Sequence, residues 1–451
     1  VMFNRYFLNG RLPFKDVFIH AMVQDGHGQK MSKSLGNGVD PRDIIFSHGA
    51  DAMRFTLVQM TTDTQDVRMP VEMVCPHSGV SFEPEFVRTQ TGHLVAAPVQ
   101  VSPQDDSKQM VSAYGAASGV AEPNKLTPLA RNTSSKFDLG RNFANKLWNA
   151  TRFALNRIDE GLVTNIDLEN RPFIDKWIFA QLDETVRKLE ESIEQYQFNI
   201  FADTLYDFVW HDVCDRYLEA VKPSIDSDPE QQMVLANLLN AVLRIMHPVC
   251  PFVTEALWPH VRQATSSTVG GVELPDTKIL AASSWPKIEI SQSLSASLIS
   301  DFNSADQLVS LIRSTRAEQK VKPKQTIELY APGPVLDLLD RVNGYVQILA
   351  GIGEVKPLLE APSNGSTVIT FEGTEIKIAG LNSDIDLDAQ KVRLEKLIVD
   401  KEKQISGFKG RLSNEGYLSN AKPEIIEETR NLLALAEADL EAAQHSLANL
   451  D

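Results

Sequence analysis

A short basic segment near the start of the chain carries the residue types best suited to chemistry. Lys30, Met31, Ser32, Lys33 and Ser34 place two ammonium groups and two hydroxyls within five consecutive positions. When a phosphoryl group is attacked, negative charge grows on its oxygens and on the departing phosphate. Lysines on a loop can stabilise that charge more strongly in the transition state than in the ground state. The segment therefore predicts a loop that binds phosphate groups, and an exposed basic turn is the alternative.

Elements on both sides predict how this loop is positioned. The apolar run 17–23 predicts a buried strand that ends at the turn residues Asp25 and Gly26. Beyond the loop, Asp40 predicts a helix N-cap with Pro41 at the first helical position. The loop would then leave the carboxyl end of a strand, where open α/β sheets bind their ligands.

Glycines flank the loop and predict that it moves as a flap. The four positions are Gly26, Gly28, Gly36 and Gly38. The common phosphate-loop pattern, Gly-x-x-x-x-Gly-Lys-Ser/Thr, does not occur here. Residues 30–34 instead resemble, letter for letter, the signature of class I aminoacyl-tRNA synthetases. That resemblance implies that residues 1–68 are the carboxyl-terminal piece of a Rossmann-like catalytic domain.

The resemblance also implies roles for individual residues. Lys30 and Lys33 would be catalytic and would stabilise the β- and γ-phosphates of ATP. All five residues 30–34 would bind ATP, with Ser32 and Ser34 as hydroxyl donors. ATP would enter with Mg²⁺ as the substrate, and no protein-bound metal is predicted. Further along, Asp51 stands two positions after Gly49 and is expected to cap its own helix.

Charge and cysteine content limit the partners and the compartment. The chain has 451 residues, with 44 basic and 60 acidic side chains and a net charge of −16. Evenly spread, this charge would repel a polyanion, so any contact with nucleic acid requires local basic patches. Three widely separated cysteines favour a reducing compartment, and we expect the cytoplasm. No apolar run is long enough to cross a bilayer, so no membrane partner is predicted.

Residues 69–138 differ in character from the sequence on either side. Pro, Ser, Gly, Gln and Asn accumulate and helical periodicity disappears, which predicts an insertion of loops and short strands. The class I pattern does not account for this insertion. Cys75 and His77 suggest half of a zinc knuckle, but no second cysteine pair follows them, so no metal site is predicted.

Residues 139–290 predict a helical domain. Apolar residues recur at helical spacing, as in the stripe Ala202, Leu205, Val209, Val213 and Tyr217. We expect four tryptophans in its core rather than as platforms for RNA bases: Trp148, Trp177, Trp210 and Trp258. The runs 142–153, 208–219 and 247–258 resemble the anticodon-binding bundle shared by valyl-, isoleucyl- and leucyl-tRNA synthetases. That resemblance implies a tRNA partner.

Residues 291–383 predict a small α/β module with short strands at 326–329, 367–371 and 375–378. A basic window, residues 313–324, ends the first helix of this module and carries five positive charges against one negative charge. These residues are candidates for tRNA binding, and a solvated helix end is the alternative. The basic residues are Arg313, Arg316, Lys320, Lys322 and Lys324.

Residues 384–451 predict two helices that form an antiparallel coiled coil. Leu394, Ile398 and Ile405 on the first helix, and Leu433 and Leu440 on the second, lie on heptad seams. The stretch 411–423 resembles the carboxyl-terminal arm of valyl-tRNA synthetases, which implies contact with the outer corner of tRNA. Lys409 and Arg411 are therefore candidate tRNA contacts, and a dimerising coiled coil is the alternative.

Taken together, residues 1–68 and 139–451 resemble the carboxyl-terminal part of valyl-tRNA synthetases. The implied fold is multidomain and mainly α-helical. The implied activity is ATP-dependent activation of valine to valyl-adenylate, followed by transfer to tRNA(Val), in a monomeric enzyme. No His-x-Gly-His-type motif occurs in this sequence, so the chain alone is expected to be inactive. A non-catalytic tRNA-binding or assembly module and an isoleucyl- or leucyl-tRNA synthetase are the alternatives.

Overall fold

The computed structural model contains two compact units and is mainly helical with small sheets. The first unit comprises Val1–Asn170 and Ile178–Ser291, and the second comprises Arg171–Trp177 and Gln292–Asp451. The structure describes residues 6–7, 15–62, 66–159, 166–270, 272–288, 290–322, 324–362, 365–381, 387–421 and 423–448. Among these residues, no helix is both long enough and apolar enough to cross a membrane.

The first unit begins with a parallel strand pair. Strand β1 (Val23–Asp25) pairs with β2 (Val67–Met69), and helices α1 (Pro41–His48) and α2 (Ala50–Gln59) lie between them in the chain. The buried strand predicted for 17–23 is wrong except at its last residue. Val17 and Ile19 are each 83% exposed, because the described residues provide only one partner strand for β1 and no layer that covers this run.

Helix α1 starts as the sequence predicts. The side chain of Asp40 accepts a hydrogen bond from Arg42 N at 2.8 Å, and Pro41 occupies the first turn, where its missing N–H leaves no donor unpaired. The N-cap prediction is confirmed. This cap fixes the point at which the chain leaves the loop that carries the lysines.

A β-rich segment, residues 70–133, follows β2. Its strands form a three-stranded antiparallel sheet in the order β4-β3-β9 and two separate hairpins, β5–β6 and β7–β8. Its core is small and consists of Met73, Cys75, Met110 and Ala130. The short strands that the sequence predicts for this region are present. The elements are β3 (Glu72–Val74), β4 (Ser81–Phe82), β5 (Phe86–Arg88), β6 (Leu94–Ala96), β7 (Val99–Ser102), β8 (Asp105–Val111), α3 (Ala113–Ser118) and β9 (Arg131–Thr133).

Helices make up most of the remainder of the first unit. The stripe predicted from Ala202 to Tyr217 is confirmed, since its five residues are at most 1% exposed. Trp258 is also buried, but Trp148 is 45% exposed and Trp210 is half-buried, so the core prediction is wrong for Trp148. The elements are α4 (Lys136–Leu155), α5 (Phe173–Glu194), α6 (Phe198–Tyr206), a π-helix (Asp207–Tyr217), α7 (Leu218–Val221), α8 (Pro229–Met246) and α9 (Pro251–Ala264).

Asp51 joins α2 to the helices that follow. Its carboxylate accepts hydrogen bonds from Phe252 N at 3.0 Å and Val253 N at 2.6 Å, which are donors in the first turn of α9. The expected cap on its own helix is therefore wrong, because Gly49 is the N-cap residue there and makes no side-chain bond. Asp51 caps a helix about 200 positions further along the chain.

Gly140 in α4 allows a close approach to α2. A Cβ atom at this position would lie 2.6 Å from the carbonyl oxygen of Ala52, a distance that real side chains essentially never show. The two helices therefore contact each other backbone to backbone. Helix α2 is fixed on one side by this contact and on another by the Asp51 cap.

The second unit contains a mixed sheet with the order β11-β10-β13-β12. Strands β10 and β11 are parallel, and the other pairs are antiparallel. Three strands match the predicted short strands, and β11 was not predicted. Trp177 stacks on Phe302 in this unit, with ring centroids 3.5 Å apart. The elements are α10 (Gln292–Glu318), β10 (Ile327–Ala331), α11 (Gly333–Arg341), α12 (Tyr345–Ala350), β11 (Ile352–Pro357), β12 (Ser366–Phe371) and β13 (Thr374–Ala379).

Two long helices end the described chain. Helix α13 (Leu387–Leu412) leads through the short helix α14 (Glu415–Asn420) into α15 (Pro423–Ala448). Lys401 pairs with Asp439 at 2.6 Å and Lys409 pairs with Glu437 at 2.7 Å, so the two long helices run antiparallel. Asp439 also accepts a hydrogen bond from Gly373 N at 2.8 Å, which ties α15 to the turn between β12 and β13.

The Asp51 cap predicts a measurable loss of stability. Asp51→Ala should lower the free energy of unfolding by about 2 kcal/mol, because two backbone donors lose a charged acceptor at a helix N-terminus. Asp51→Asn keeps one acceptor and should lose less. Urea unfolding followed by circular dichroism measures the difference.

The matched control is Asp276→Ala, because Asp276 is fully exposed and its nearest charged partner is 3.9 Å away. This variant should unfold at the urea concentration of the unchanged chain. If Asp51→Ala and Asp276→Ala had the same midpoint, Asp51 would not stabilise α9.

Candidate active-site loop and nucleic-acid interface

The lysine loop, residues 26–38, is built around the carboxylate of Asp25. This side chain lies at the end of β1, is 4% exposed, and accepts hydrogen bonds from four nitrogens. They are His27 N at 3.0 Å, Gln29 N at 2.9 Å, Gln29 Nε2 at 3.1 Å and Asn37 Nδ2 at 2.8 Å. Burial opposes ionisation, but these hydrogen bonds outweigh it and hold the pKa of the Asp25 carboxyl below its ordinary value.

Asn37 closes the loop onto its own beginning. Its side chain is 9% exposed and bonds to both halves of the loop. The amide nitrogen donates to Asp25 Oδ2 and to the carbonyl oxygen of Lys30 at 3.3 Å, while the amide oxygen accepts from Ser32 N at 2.9 Å. One buried amide therefore connects the strand end, the first lysine and the first serine. The sequence offers no periodic signal for such a contact.

The five signature residues divide into an inner and an outer set. Met31 is partly buried and packs against the cluster of Ile44, Met69 and Phe137, so its side chain anchors the loop, while its part in binding ATP stays a prediction. Lys30 and Lys33 are exposed. The loop therefore presents two ammonium groups to solvent above an apolar anchor.

The two hydroxyls of the signature bond within the loop. Ser32 Oγ accepts a hydrogen bond from Leu35 N at 3.2 Å and lies 3.1 Å from Ser34 Oγ. These contacts shape the turn between the lysines. Donation by both Ser32 and Ser34 to a phosphate stays a prediction, and it would end the hydrogen bond between the two hydroxyls, since each has only one proton to donate.

The far end of the loop is held rather than hinged. Gly36 has φ +59°, and a Cβ atom there would lie 2.2 Å from Tyr114 N. The side-chain amide of Asn132 donates to the carbonyl oxygens of Gly36 and Gly38, at 2.8 and 2.7 Å. Movement of the loop as a flap stays a prediction, and it would have to break these contacts at Gly36 and Gly38.

A cleft of about 550 Å³ lies between the ends of the loop and the β-rich segment. Gly26, His27 and Asn37 line one side of it, and Phe82 and Phe86 line the other. Residues 30–34 do not line it. The exposed lysines therefore face a different region, and this cleft does not carry the predicted phosphate contacts.

The possible zinc ligands of the β-rich segment bond to protein atoms instead. Cys75 Sγ lies 3.4 Å from Ser102 Oγ, and His77 Nε2 lies 2.9 Å from the carbonyl oxygen of Gln109. Within the described ranges, no group of three His, Cys, Asp or Glu side chains could hold a metal ion.

The basic window of the second unit contains one structural arginine. Arg316 is 9% exposed, and its guanidinium donates to the carbonyl oxygens of Gly351, Lys322 and Gln325, at 3.3, 3.2 and 2.7 Å. Burial lowers the pKa of Arg316 from its ordinary value. Because its donors bond to backbone oxygens, Arg316 has a structural role here, and its contact with tRNA stays a prediction.

The other cations of this window lie on the surface. Lys320, Lys322 and Lys324 are exposed, and Arg313 is exposed with its Nε donating to the carbonyl oxygen of Leu349 at 2.9 Å. We call these three lysines the lysine tip. Arg316 holds the backbone at Lys322 and Gln325, so it fixes the segment that presents the lysine tip.

The two candidates on the carboxyl-terminal helices differ in their surroundings. Lys409 is 58% exposed and is paired with Glu437, whereas Arg411 is exposed. In the first unit, Tyr206 and Trp210 stack, and Lys146 Nζ lies 4.2 Å from the Trp210 ring centroid. Sequence reasoning placed Trp210 in the core and so did not identify this cation–aromatic cluster.

Comparison with family models matches three parts of the chain. Residues 2–70 match tRNA synthetases class I (I, L, M and V), residues 175–331 match the anticodon-binding domain of tRNA ligase, and residues 386–451 match the valyl tRNA synthetase tRNA binding arm. The β-rich segment lies between the first two matched ranges.

Curated relatives match along nearly the whole chain. The valine–tRNA ligase of Rhodopirellula baltica is 34% identical over 98% of this chain and 42% of its own length. Those of Rhizobium meliloti and Thermotoga maritima are 32% and 30% identical, over 95% and 96% of this chain and 38% and 41% of their own lengths. The chain thus spans about two-fifths of the length of these relatives.

Among solved structures, the LeuRS-tRNA-LeuAMS ternary complex of Agrobacterium radiobacter K84 matches with 20% identity and a TM-score of 0.35. The match covers 64% of this chain and 25% of that chain. A score this low supports no argument about the fold.

The structural role of Arg316 predicts a loss of stability when its side chain is removed. Arg316→Ala should lower the free energy of unfolding by about 2 kcal/mol, because three carbonyl oxygens lose a charged donor. The matched control, Arg313→Ala, should change it by less than about 0.5 kcal/mol, as for other exposed positions. Urea unfolding measures both. Equal losses from the two variants would contradict the structural role of Arg316.

Proposed function

The chain belongs to the family of valyl-tRNA synthetases, and from this we propose that it serves ATP-dependent valine–tRNA ligation. In the first step, a carboxylate oxygen of valine attacks the α-phosphorus of ATP. A new P–O bond forms, the bond to the β-phosphate breaks, and pyrophosphate leaves. In the second step, the 3′-terminal hydroxyl of tRNA(Val) takes the valyl group and AMP leaves.

One observation supports the role of this chain in the first step. Lys30 and Lys33 are exposed on a loop whose backbone is fixed by a buried carboxylate and a buried amide, those of Asp25 and Asn37. A loop backbone that is already fixed lowers the entropic cost of bringing its charged side chains to the transition state. We propose that both ammonium groups stabilise the β- and γ-phosphates as the bond between the α-phosphorus and the departing pyrophosphate lengthens.

The metal in this proposal belongs to the substrate. Mg²⁺ binds ATP through phosphate oxygens and keeps several of its waters, so it does not require a dedicated protein cage. We therefore propose MgATP as the substrate form. Valine is proposed as the amino acid on the strength of the family alone.

Contact with tRNA is proposed for three surfaces. They are the helical bundle of residues 139–290, the lysine tip with Arg313, and the pair of helices α13 and α15 with Lys409 and Arg411. We propose that α13 and α15 form a coiled-coil arm, because the predicted seam residues Leu394 and Ile405 are buried. We also propose that the enzyme is a monomer and that it lies in the cytoplasm.

The catalytic proposal predicts a large effect of one lysine. In a synthetase of full family length that contains this chain, Lys33→Ala should slow valine-dependent pyrophosphate exchange by roughly a hundredfold, the loss typical of one removed transition-state contact. Affinity for tRNA should change little, because Lys33 acts on ATP.

The control for that experiment is Lys125→Ala, since Lys125 is an exposed lysine on a turn of the β-rich segment. It removes the same charge and should leave exchange unchanged. If Lys33→Ala and Lys125→Ala exchanged pyrophosphate at the same rate, the chain would be better described as a tRNA-binding module without a catalytic part.

The tRNA proposal predicts a change in salt dependence. Replacing Lys320, Lys322 and Lys324 together with Ala should reduce the slope of log affinity against log salt by about 2, because each phosphate contact contributes about 0.7 to 0.9. Binding of tRNA(Val) to the 451-residue chain, measured over a range of salt concentrations, provides the slope.

A triple variant of equal charge provides the control for the lysine tip. Lys108, Lys125 and Lys136 are exposed and lie outside the proposed surfaces, so their replacement with Ala should leave the slope unchanged. The lysine tip would be excluded as a tRNA contact if both triple variants had the slope of the unchanged chain.

A further inference from the structure

The β-rich segment contacts the lysine loop at three separate places. The first contact is a clamp between one side chain and one backbone unit. Gln29 Nε2 donates to the carbonyl oxygen of Leu94 at 2.7 Å, and Gln29 Oε1 accepts from Leu94 N at 2.9 Å. Both hydrogen-bonding groups of the Gln29 amide are thus used on β6, on the amino-terminal side of the signature residues.

The other two contacts lie on the carboxyl-terminal side. Asn132 on β9 is 7% exposed, and its Nδ2 donates to the carbonyl oxygens of Gly36 and Gly38. Gly36 also lies against the first residues of α3, where no side chain would fit because a Cβ atom would lie 2.2 Å from Tyr114 N. Three elements of the segment, β6, α3 and β9, therefore hold the two ends of one loop.

We infer that the β-rich segment is a brace that sets the position of the signature residues, with Gln29 and Asn132 as its positioning residues. The residues between the two held ends are 30–35, and only these are left to move toward a phosphate. A loop held at both ends loses less conformational freedom when it closes on its substrate than a free loop does. The catalytic consequence of the brace rests on the proposed function.

The physical part of the inference is tested on the 451-residue chain without any substrate. Ser32, Leu35 and Gly36 have hydrogen-bonded backbone amides, so their hydrogen exchange reports the order of the loop. Asn132→Ala should raise the rate of deuterium uptake of a peptide covering 29–38 by about tenfold, because local opening becomes easier when an anchor is lost.

Two further variants isolate the amide donor. Asn132→Asp keeps the size of the side chain but has no amide hydrogens, so it should raise uptake as Asn132→Ala does. Asn124→Ala is the matched control, because the Asn124 side chain accepts bonds only within its own exposed turn, from Leu126 N and Thr127 N. If Asn132→Ala and Asn124→Ala showed equal uptake in the loop peptide, the brace would be rejected.

Should the variants at position 132 fail to fold, Gln29→Ala tests the clamp from the loop side, with Gln104→Ala, at an exposed position, as its control. Because Gln29 Nε2 also donates to Asp25, uptake is here measured in a peptide covering Leu94, whose amide donates to Gln29 Oε1. Faster uptake in Gln29→Ala alone supports the brace. Equal uptake in the two glutamine variants overturns it.

Kinetics in a synthetase of full family length then test the catalytic consequence. Asn132→Ala should lower kcat for pyrophosphate exchange by about tenfold and leave the KM for valine unchanged, since misplacing a charge acts on the transition state. An increase in kcat, or no change, would reject the positioning role. A Lys33→Ala variant with an unchanged rate of pyrophosphate exchange would reject the proposed function. The hydrogen-exchange result on the brace would stand independently of that outcome.

Discussion

The carboxylate of Asp25 is the interaction on which the lysine loop depends. A buried carboxylate is costly unless it is fully hydrogen-bonded, and this one accepts four N–H donors, all from the loop that follows it. Those donors must converge on one point, so the backbone from His27 to Asn37 has little choice of path. The exposed positions of Lys30 and Lys33 are a consequence of this constraint. The buried negative charge of Asp25 thus fixes the backbone of the loop that carries the two exposed lysines.

Features that depend on local sequence were predictable. The cap at Asp40, the stripe from Ala202 to Tyr217 and the strands β12 and β13 follow from short-range pattern, and the structure confirms them. The run 17–23 has the pattern of a buried strand but is largely exposed, because burial requires a covering layer that a local pattern does not specify. Asn37 and Asn132 carried no sequence signal, since an asparagine in a loop is ordinary until its partners are known.

Two charged residues show why sequence assigns charge but not role. Asp51 and Arg316 stood where a cap and a phosphate contact were expected, and both bond to backbone groups outside their own helices. Removing a charge from water is favourable only when geometry provides several partners, so a buried ion with backbone partners is committed to structure. Exposure therefore separates Arg316 from the three lysines of the lysine tip, although all four lie in one basic window.

The connections of the β-rich segment give the brace its rigidity. The segment is entered from β2, which pairs with the strand that ends at Asp25, and it is left through α4, which contacts α2 backbone to backbone at Gly140. Both of its ends are therefore attached to the elements that bracket the lysine loop. A segment attached in this way cannot shift without moving the support of the loop, so its contacts through Gln29 and Asn132 act as fixed points. A segment that contacts the lysine loop at both ends can in this way control where two lysines stand.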